Sequence, residues 1–173
     1  MQRDSRNVCA TAVLWAACLS SSAAASSCND ASRPLDFWVG HWDVFVDGKL
    51  DGRNYIERTL DGCALLEHWD DASGMKGMSL FYLEPHTQQW KQVWVTDHAR
   101  DPGGLKEKTL IFAAPGQARF QGIVWPKPDR MVIDRTTLRK LGDDEVSQLI
   151  EFSSDGGTSW TKAYDAVYRR APQ

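Results

Sequence analysis

The chain has 173 residues, 42% of them hydrophobic and 25% charged, with a formal net charge of −3. That length and balance fit one soluble domain and exclude collagenous and low-complexity chains. The lack of a basic excess removes the electrostatic footprint of a nucleic-acid binder, and no internal apolar run approaches a membrane span.

The amino terminus reads as a secretory signal. Arg3 and Arg6 precede an apolar stretch from Val8 to Leu19, and the small residues Ala23-Ala24-Ala25 follow, the order that signal peptidase reads. Cleavage is expected after Ala25, leaving an arm over 26–34 and a periplasmic or secreted domain over 35–170. Cys9 and Cys18 fall inside the signal, so Cys28 and Cys63 remain and suggest one disulfide in an oxidising compartment. Such a bridge stabilises by about 3–4 kcal/mol in the chain-entropy model. The competing reading makes Cys28 the lipidated first residue of an anchored lipoprotein, although Ala25 stands where a lipidation signal favours a larger apolar residue.

A short helix is predicted next, with Ser32 as N-cap, Pro34 in the first turn and Gly40 just past the last apolar residue. Its Leu35, Phe37 and Trp38 need a surface to cover. Beyond it, turn signals recur about every ten residues, from Asp47-Gly48, Asp51-Gly52 and Asp61-Gly62 to Asp155-Gly156-Gly157, the rhythm of an antiparallel meander. Apolar residues often alternate between the turns, as in Trp42, Val44 and Val46, and period two means strands. Ten strands fit, near 41–47, 53–60, 63–70, 76–84, 89–97, 105–113, 117–125, 130–140, 145–153 and 159–169. The fold class is therefore all-β, an antiparallel meander closed into an 8–10-stranded barrel with the short helix as a plug. Closure removes the edge-strand hazard, and a two-sheet sandwich is the other architecture.

Three segments carry a resemblance. They are Asp36-Phe37-Trp38-Val39-Gly40-His41-Trp42-Asp43-Val44, the stretch from Ile56 to Trp69, and Ser154-Asp155-Gly156-Gly157-Thr158-Ser159-Trp160. Together they resemble the DUF1579 family, a lipocalin-like group of bacterial proteins in the calycin superfamily, over about residues 35–170. The resemblance implies a small, often secreted β-barrel whose interior holds a ligand. Gly40-x-Trp42 is also similar to the lipocalin Gly-x-Trp signature, in which the tryptophan packs across the barrel base.

Eight tryptophans are a heavy load for this length, and all but Trp15 follow the signal. Trp38, Trp42 and Trp160 are expected to fill the core and its closed end. Trp69 and Trp94 share strand faces with Glu67 and Gln92, and mixed aromatic and polar faces are what ligand pockets show. The candidate ligand-binding residues are thus Tyr55, Glu67, Trp69, Gln92, Trp94 and Tyr164, around a small and largely apolar molecule.

Glu67 and His68 are the weak catalytic candidates, as general acid or base. Adjacent strand residues point to opposite faces, so both cannot face one cavity without a bulge. The duller reading pairs Glu67 with Arg53 or Arg58. His41, His68, His86 and His98 have no zinc-type spacing, so no metal is expected. Haem binding, known among barrels resembling this superfamily, needs an axial ligand, and no histidine follows His98, so no cofactor is expected either. Ser153-x-Asp155-x-Gly157-x-Ser159-Trp160 matches an Asp-box, which turn chemistry suffices to explain. Three functions stay open: a ligand-binding barrel, a small-molecule barrel enzyme, and an envelope-associated structural protein with a filled barrel.

Overall fold

Among the described residues, alternating apolar and polar side chains form ten antiparallel strands: β1 (Gly40–Val46), β2 (Lys49–Thr59), β3 (Ala64–Asp71), β4 (Lys76–Glu84), β5 (Gln89–Thr96), β6 (Leu105–Ala114), β7 (Gln117–Lys127), β8 (Arg130–Gly142), β9 (Glu145–Ser153) and β10 (Thr161–Arg170). The structure, a computed structural model, describes residues 33–98 and 100–172. The signal, most of the arm, and Cys28 lie outside them. Each strand pairs with its neighbours in sequence, and β1 also pairs with β10, so the sheet closes into a barrel. Among the described residues no helix is long and apolar enough to cross a membrane.

The tight turns are set by backbone chemistry. Val46 pairs with Lys49 across Asp47 (φ 49°) and Gly48 (φ 76°), and positive φ at both central positions is the hairpin geometry that suits Asp-Gly. That two-residue turn starts β2 four residues earlier than expected. The second Asp-Gly pair, Asp51-Gly52, is consequently not a turn: Gly52 sits inside β2, opposite Val44 and Asp71.

The predicted helix is instead a single three-residue 3-10 turn, Asp36–Trp38, led by Leu35 at its N-cap, while Ser32 lies outside the described residues. The turn still plugs one end of the barrel. Leu35 and Trp38 are fully buried, and Trp38 meets Phe81 and Tyr168 edge-on at 5.7 and 5.9 Å. Trp42 Nε1 donates to the Trp38 carbonyl at 2.7 Å, and the Arg170 guanidinium lies 3.9 Å from the Trp42 ring centre. Phe120 extends the cluster through Phe81, with centroids 5.4 Å apart. Burying each of these rings removes on the order of 200 Å² from water, so this end is the apolar core.

Trp160 does not join that core. The Asp155 carboxylate accepts from the Ser159 backbone N–H at 2.9 Å and from its hydroxyl at 2.6 Å, closing the turn before β10. The indole folds back so that Nε1 donates to the Gly157 carbonyl at 3.0 Å, and Arg135 covers the ring at 3.6 Å. The turn thus keeps Trp160 on the outer surface, contrary to its expected core role. Cys63, after the 3-10 turn Leu60–Gly62, is disulfide-bonded, and its partner is outside the described residues.

Candidate ligand cavity

Opposite the plugged end, the barrel interior holds a cavity of about 510 Å³. Its walls come from β2, β3, β5, β6, β8, β9 and β10, and its rim from Met75 and the loop carrying His98 and Asp101. Clefts of this size accommodate small ligands. Glu67, Trp69, Gln92, Trp94 and Tyr164 all line it, and strand parity puts Glu67 with Trp69, and Gln92 with Trp94, on the inner face.

Tyr55 and His68 do not. Asn54 and Ile56 are buried inside the barrel, so Tyr55 between them points outward, and Glu67 and Trp69 do the same to His68. Outside, Tyr55 stacks on His41 and His68 with centroids 4.1 and 5.7 Å apart. Glu57 joins this outer group, accepting from Tyr55 Oη at 3.2 Å and lying 3.0 Å from His68 Nε2. Tyr55 is therefore not a cavity wall, and His68 is removed from any chemistry in the interior. Glu67 meets neither Arg53 nor Arg58: Arg53 pairs with Asp43 outside the barrel, and Arg58 pairs with Asp36 of the plug.

Two indoles form the apolar side, and glycines on the neighbouring strand make room for them. Trp69 lies across Gly52 and Trp94 across Gly77, where an added Cβ would fall 2.6 and 2.2 Å from the respective ring carbons Cη2. Ile150 and Phe152 of β9 line the cavity as well.

The polar floor is a chain of hydrogen bonds across four strands. Asn54 Nδ2 donates to Glu67 Oε1 at 2.8 Å, Ser79 Oγ donates to Glu67 Oε2 at 2.5 Å, and Gln92 Nε2 donates to Ser79 Oγ at 3.1 Å. The register explains it: Glu67 pairs with Ser79, Ser79 with Trp94, and Asn54 with Trp69, which puts all four polar groups on the inner face. Burial raises the Glu67 pKa, opposed by the bonds from Ser79 and Asn54 and by the nearby Lys108 and Lys106 charges. Tyr168, 2% exposed, donates to Gln148 Oε1 at 2.9 Å.

A second polar group joins β6 to β8 over Gly122 of the strand between them. Lys108 Nζ donates to Asp134 Oδ1 and to Thr136 Oγ1, each at 2.5 Å. Lys106 Nζ lies 3.2 Å from Asp134 Oδ2 without the alignment of a hydrogen bond. Burial pushes the Lys108 ammonium down to about 8, assisted by Lys106 and resisted by Asp134 and Glu67. At the rim, Tyr164 Oη donates to Asp51 Oδ2 at 2.7 Å, and burial together with that carboxylate raises the phenol pKa.

Sequence reasoning missed Asn54, Ser79, Lys106, Lys108 and Asp134. Strand parity carried the signal: Lys106, Lys108 and Leu110 share a face of β6, as Asp134, Thr136 and Leu138 do on β8. Among the described residues no cluster of three or more His, Cys, Asp or Glu side chains is placed to hold a metal ion. Chemically, the arrangement offers an apolar slot over a fixed polar floor and one buried carboxyl able to hold or release a proton. No known protein-family model matches the chain, and no curated protein matches it in sequence.

Proposed function

We propose that the protein is an exported, lipocalin-like barrel that binds a small molecule with a largely apolar body between Trp69 and Trp94. The carrying observation is the 510 Å³ cavity, walled by two indoles and floored by polar groups whose positions are fixed by one another. Apolar surface removed from water supplies most of the affinity, and one or two floor groups set the orientation. The packing of Trp42 at the plugged end accords with the lipocalin-like reading of Gly40-x-Trp42. A filled structural barrel accords poorly with a space of that size.

Export follows from the signal-like segment ending at Ala25, and periplasmic or secreted residence suits a disulfide. Cys28 is the proposed partner of the bonded Cys63, since it alone of the other cysteines survives cleavage. A Cys28 thiol held in a disulfide is not available for lipidation, which favours the free domain over the anchored one. Intact mass and thiol titration of the mature protein test this: two reactive thiols, or a lipid adduct on Cys28, refute it.

The experiment for the main reading is a screen of apolar compounds followed by tryptophan fluorescence and confirmed by calorimetry. At least one saturable ligand is expected, and none would remove the reading. A second reading, an acid–base enzyme, is favoured by one observation: Glu67 is buried beside the cavity with a raised pKa. Under that reading Glu67→Gln abolishes turnover while ligand affinity persists.

A further inference from the structure

Among the described residues, the buried side-chain atoms without a hydrogen-bond partner are one donor, Trp38 Nε1 in the aromatic plug, and three acceptors at or beneath the cavity. Gln92 lines the cavity, is nine-tenths buried, and its Oε1 has no partner among the described residues. With Glu67 ionised, the hydrogen-bond chain fixes which end of the amide faces the cavity. Ser79 Oγ gives its proton to Glu67, so it receives from Gln92 Nε2, and the carbonyl oxygen is left over. Deeper in, Asn54 Oδ1 also lacks a hydrogen-bond partner, and Asp134 Oδ2 has only the unaligned Lys106 ammonium at 3.2 Å. All three are acceptors, and a buried acceptor without a hydrogen bond is destabilising until something donates to it.

Charge points the same way. Asp51, Glu67, Asp71 and Asp101 line the cavity, with Lys106 and Lys108 as the lining cations. Both lysines already face Asp134. Five carboxylates therefore surround a space that holds two ammoniums, and even a protonated Glu67 leaves an excess of negative charge. His98 at the rim is 3.4 Å from Asp101 and points its imidazole there. The walls are the faces of Trp69 and Trp94, which attract a desolvated cation as well as an apolar body.

We infer that the ligand is a small organic cation: an amine on an apolar body of about the size of one aromatic ring, its ammonium donating to Gln92 Oε1 amid the surplus carboxylates. This inference rests on the ligand-binding reading and specifies its ligand class. A carboxylate head would meet the repulsion of the lining acids, and a neutral hydroxyl would fill the Gln92 acceptor without answering the charge.

The test is a matched series on one body, namely phenethylamine, phenethyl alcohol and phenylacetate, titrated into the full mature protein at neutral pH by calorimetry. A charge-assisted hydrogen bond is worth about 1.5–3 kcal/mol, so the amine is expected to bind at least about 10-fold tighter than the alcohol. Phenylacetate is expected to bind most weakly. Asp71→Asn keeps the acceptor that its Oδ1 offers the Ser73 N–H and removes one lining charge. It should shrink the amine's advantage over the alcohol. Equal binding of amine and alcohol, or tighter binding of phenylacetate, overturns the inference and leaves the ligand-binding barrel standing. Saturation by none of the three overturns both.

Discussion

Trp94 reaches across Gly77, and an added Cβ there would sit 2.2 Å from the ring carbon Cη2. All three of the nearest atoms that such a Cβ would meet belong to that indole, so the position of the ring depends on the absence of a side chain on the next strand. Gly77→Ala should therefore move Trp94. Overpacking of this kind costs about 1–3 kcal/mol, and because the displaced ring is a cavity wall, ligand affinity should fall with it. Denaturant unfolding and the emission of Trp94, isolated by comparison with Trp94→Phe, read the two effects separately.

Trp94→Ala and Trp42→Ala should part company. Trp42 is fully buried against Trp38, Tyr168 and Arg170, so its truncation should cost about 3–5 kcal/mol and leave little folded protein to bind anything. Trp94 is only partly buried, so truncating it should cost less stability and more affinity. Tyr55→Phe and His68→Ala, on the outer surface, should leave ligand titrations unchanged. A loss of binding in either would contradict the placement of that outer stack.

Lys108 and Asp134 form a buried pair, at 4% and 0% exposure. Removing one member strands the other, a loss of about 3–5 kcal/mol, so Lys108→Met should be strongly destabilised and Lys108→Met with Asp134→Leu should recover much of it. An amine lowered from 10.5 to about 8 binds fewer protons when folded than when unfolded between those values. Wild-type stability should thus rise with pH across that window, and the double variant should lose that rise. Chemical denaturation at several alkaline pH values measures both.

Glu67 gives the opposite slope in acid. Its carboxyl is raised above 4.5 in the fold, so the folded state holds the proton more tightly than the unfolded chain does. Stability should fall as pH rises from the ordinary carboxylate range through the folded value, then level off. Glu67→Gln offers an acceptor to Asn54 and a donor to Ser79, and it should flatten that part of the profile. A pH-dependent melting series that is identical in the two proteins would refute the buried ionisable role.

Much of the barrel was legible because period two is a local signal. Trp42, Val44 and the pairs Glu67/Trp69 and Gln92/Trp94 lie on the inner face, as alternation required. Tyr55 was misplaced although alternation puts it on the face opposite Asn54 and Ile56, both of which are buried in the barrel. The pairing of Lys108 with Asp134 was beyond reach for another reason. β6 and β8 flank β7, and the two side chains meet over Gly122, which pairs with Asp134 and where an added Cβ would fall 3.1 Å from Lys108 Cα, so the contact depends on the register of three strands and not on a spacing in the chain. Trp160 escaped because hydrogen bonds within its own turn, not hydrophobicity, decide where it packs.

Every ladder but one joins strands that are consecutive in the chain, and the exception, β1 with β10, brings Ala171 N–H onto the His41 carbonyl at 3.0 Å. Nine hairpins can therefore form from local contacts, whereas this last seam waits for the two ends of the domain to find each other, the slow kind of step in folding. The same seam is where the cylinder can part without undoing any hairpin. Trp42 stands on one side of it and Tyr168 on the other, with Trp38 packed against both, so the aromatic plug acts as the clasp that holds the first and last strands together.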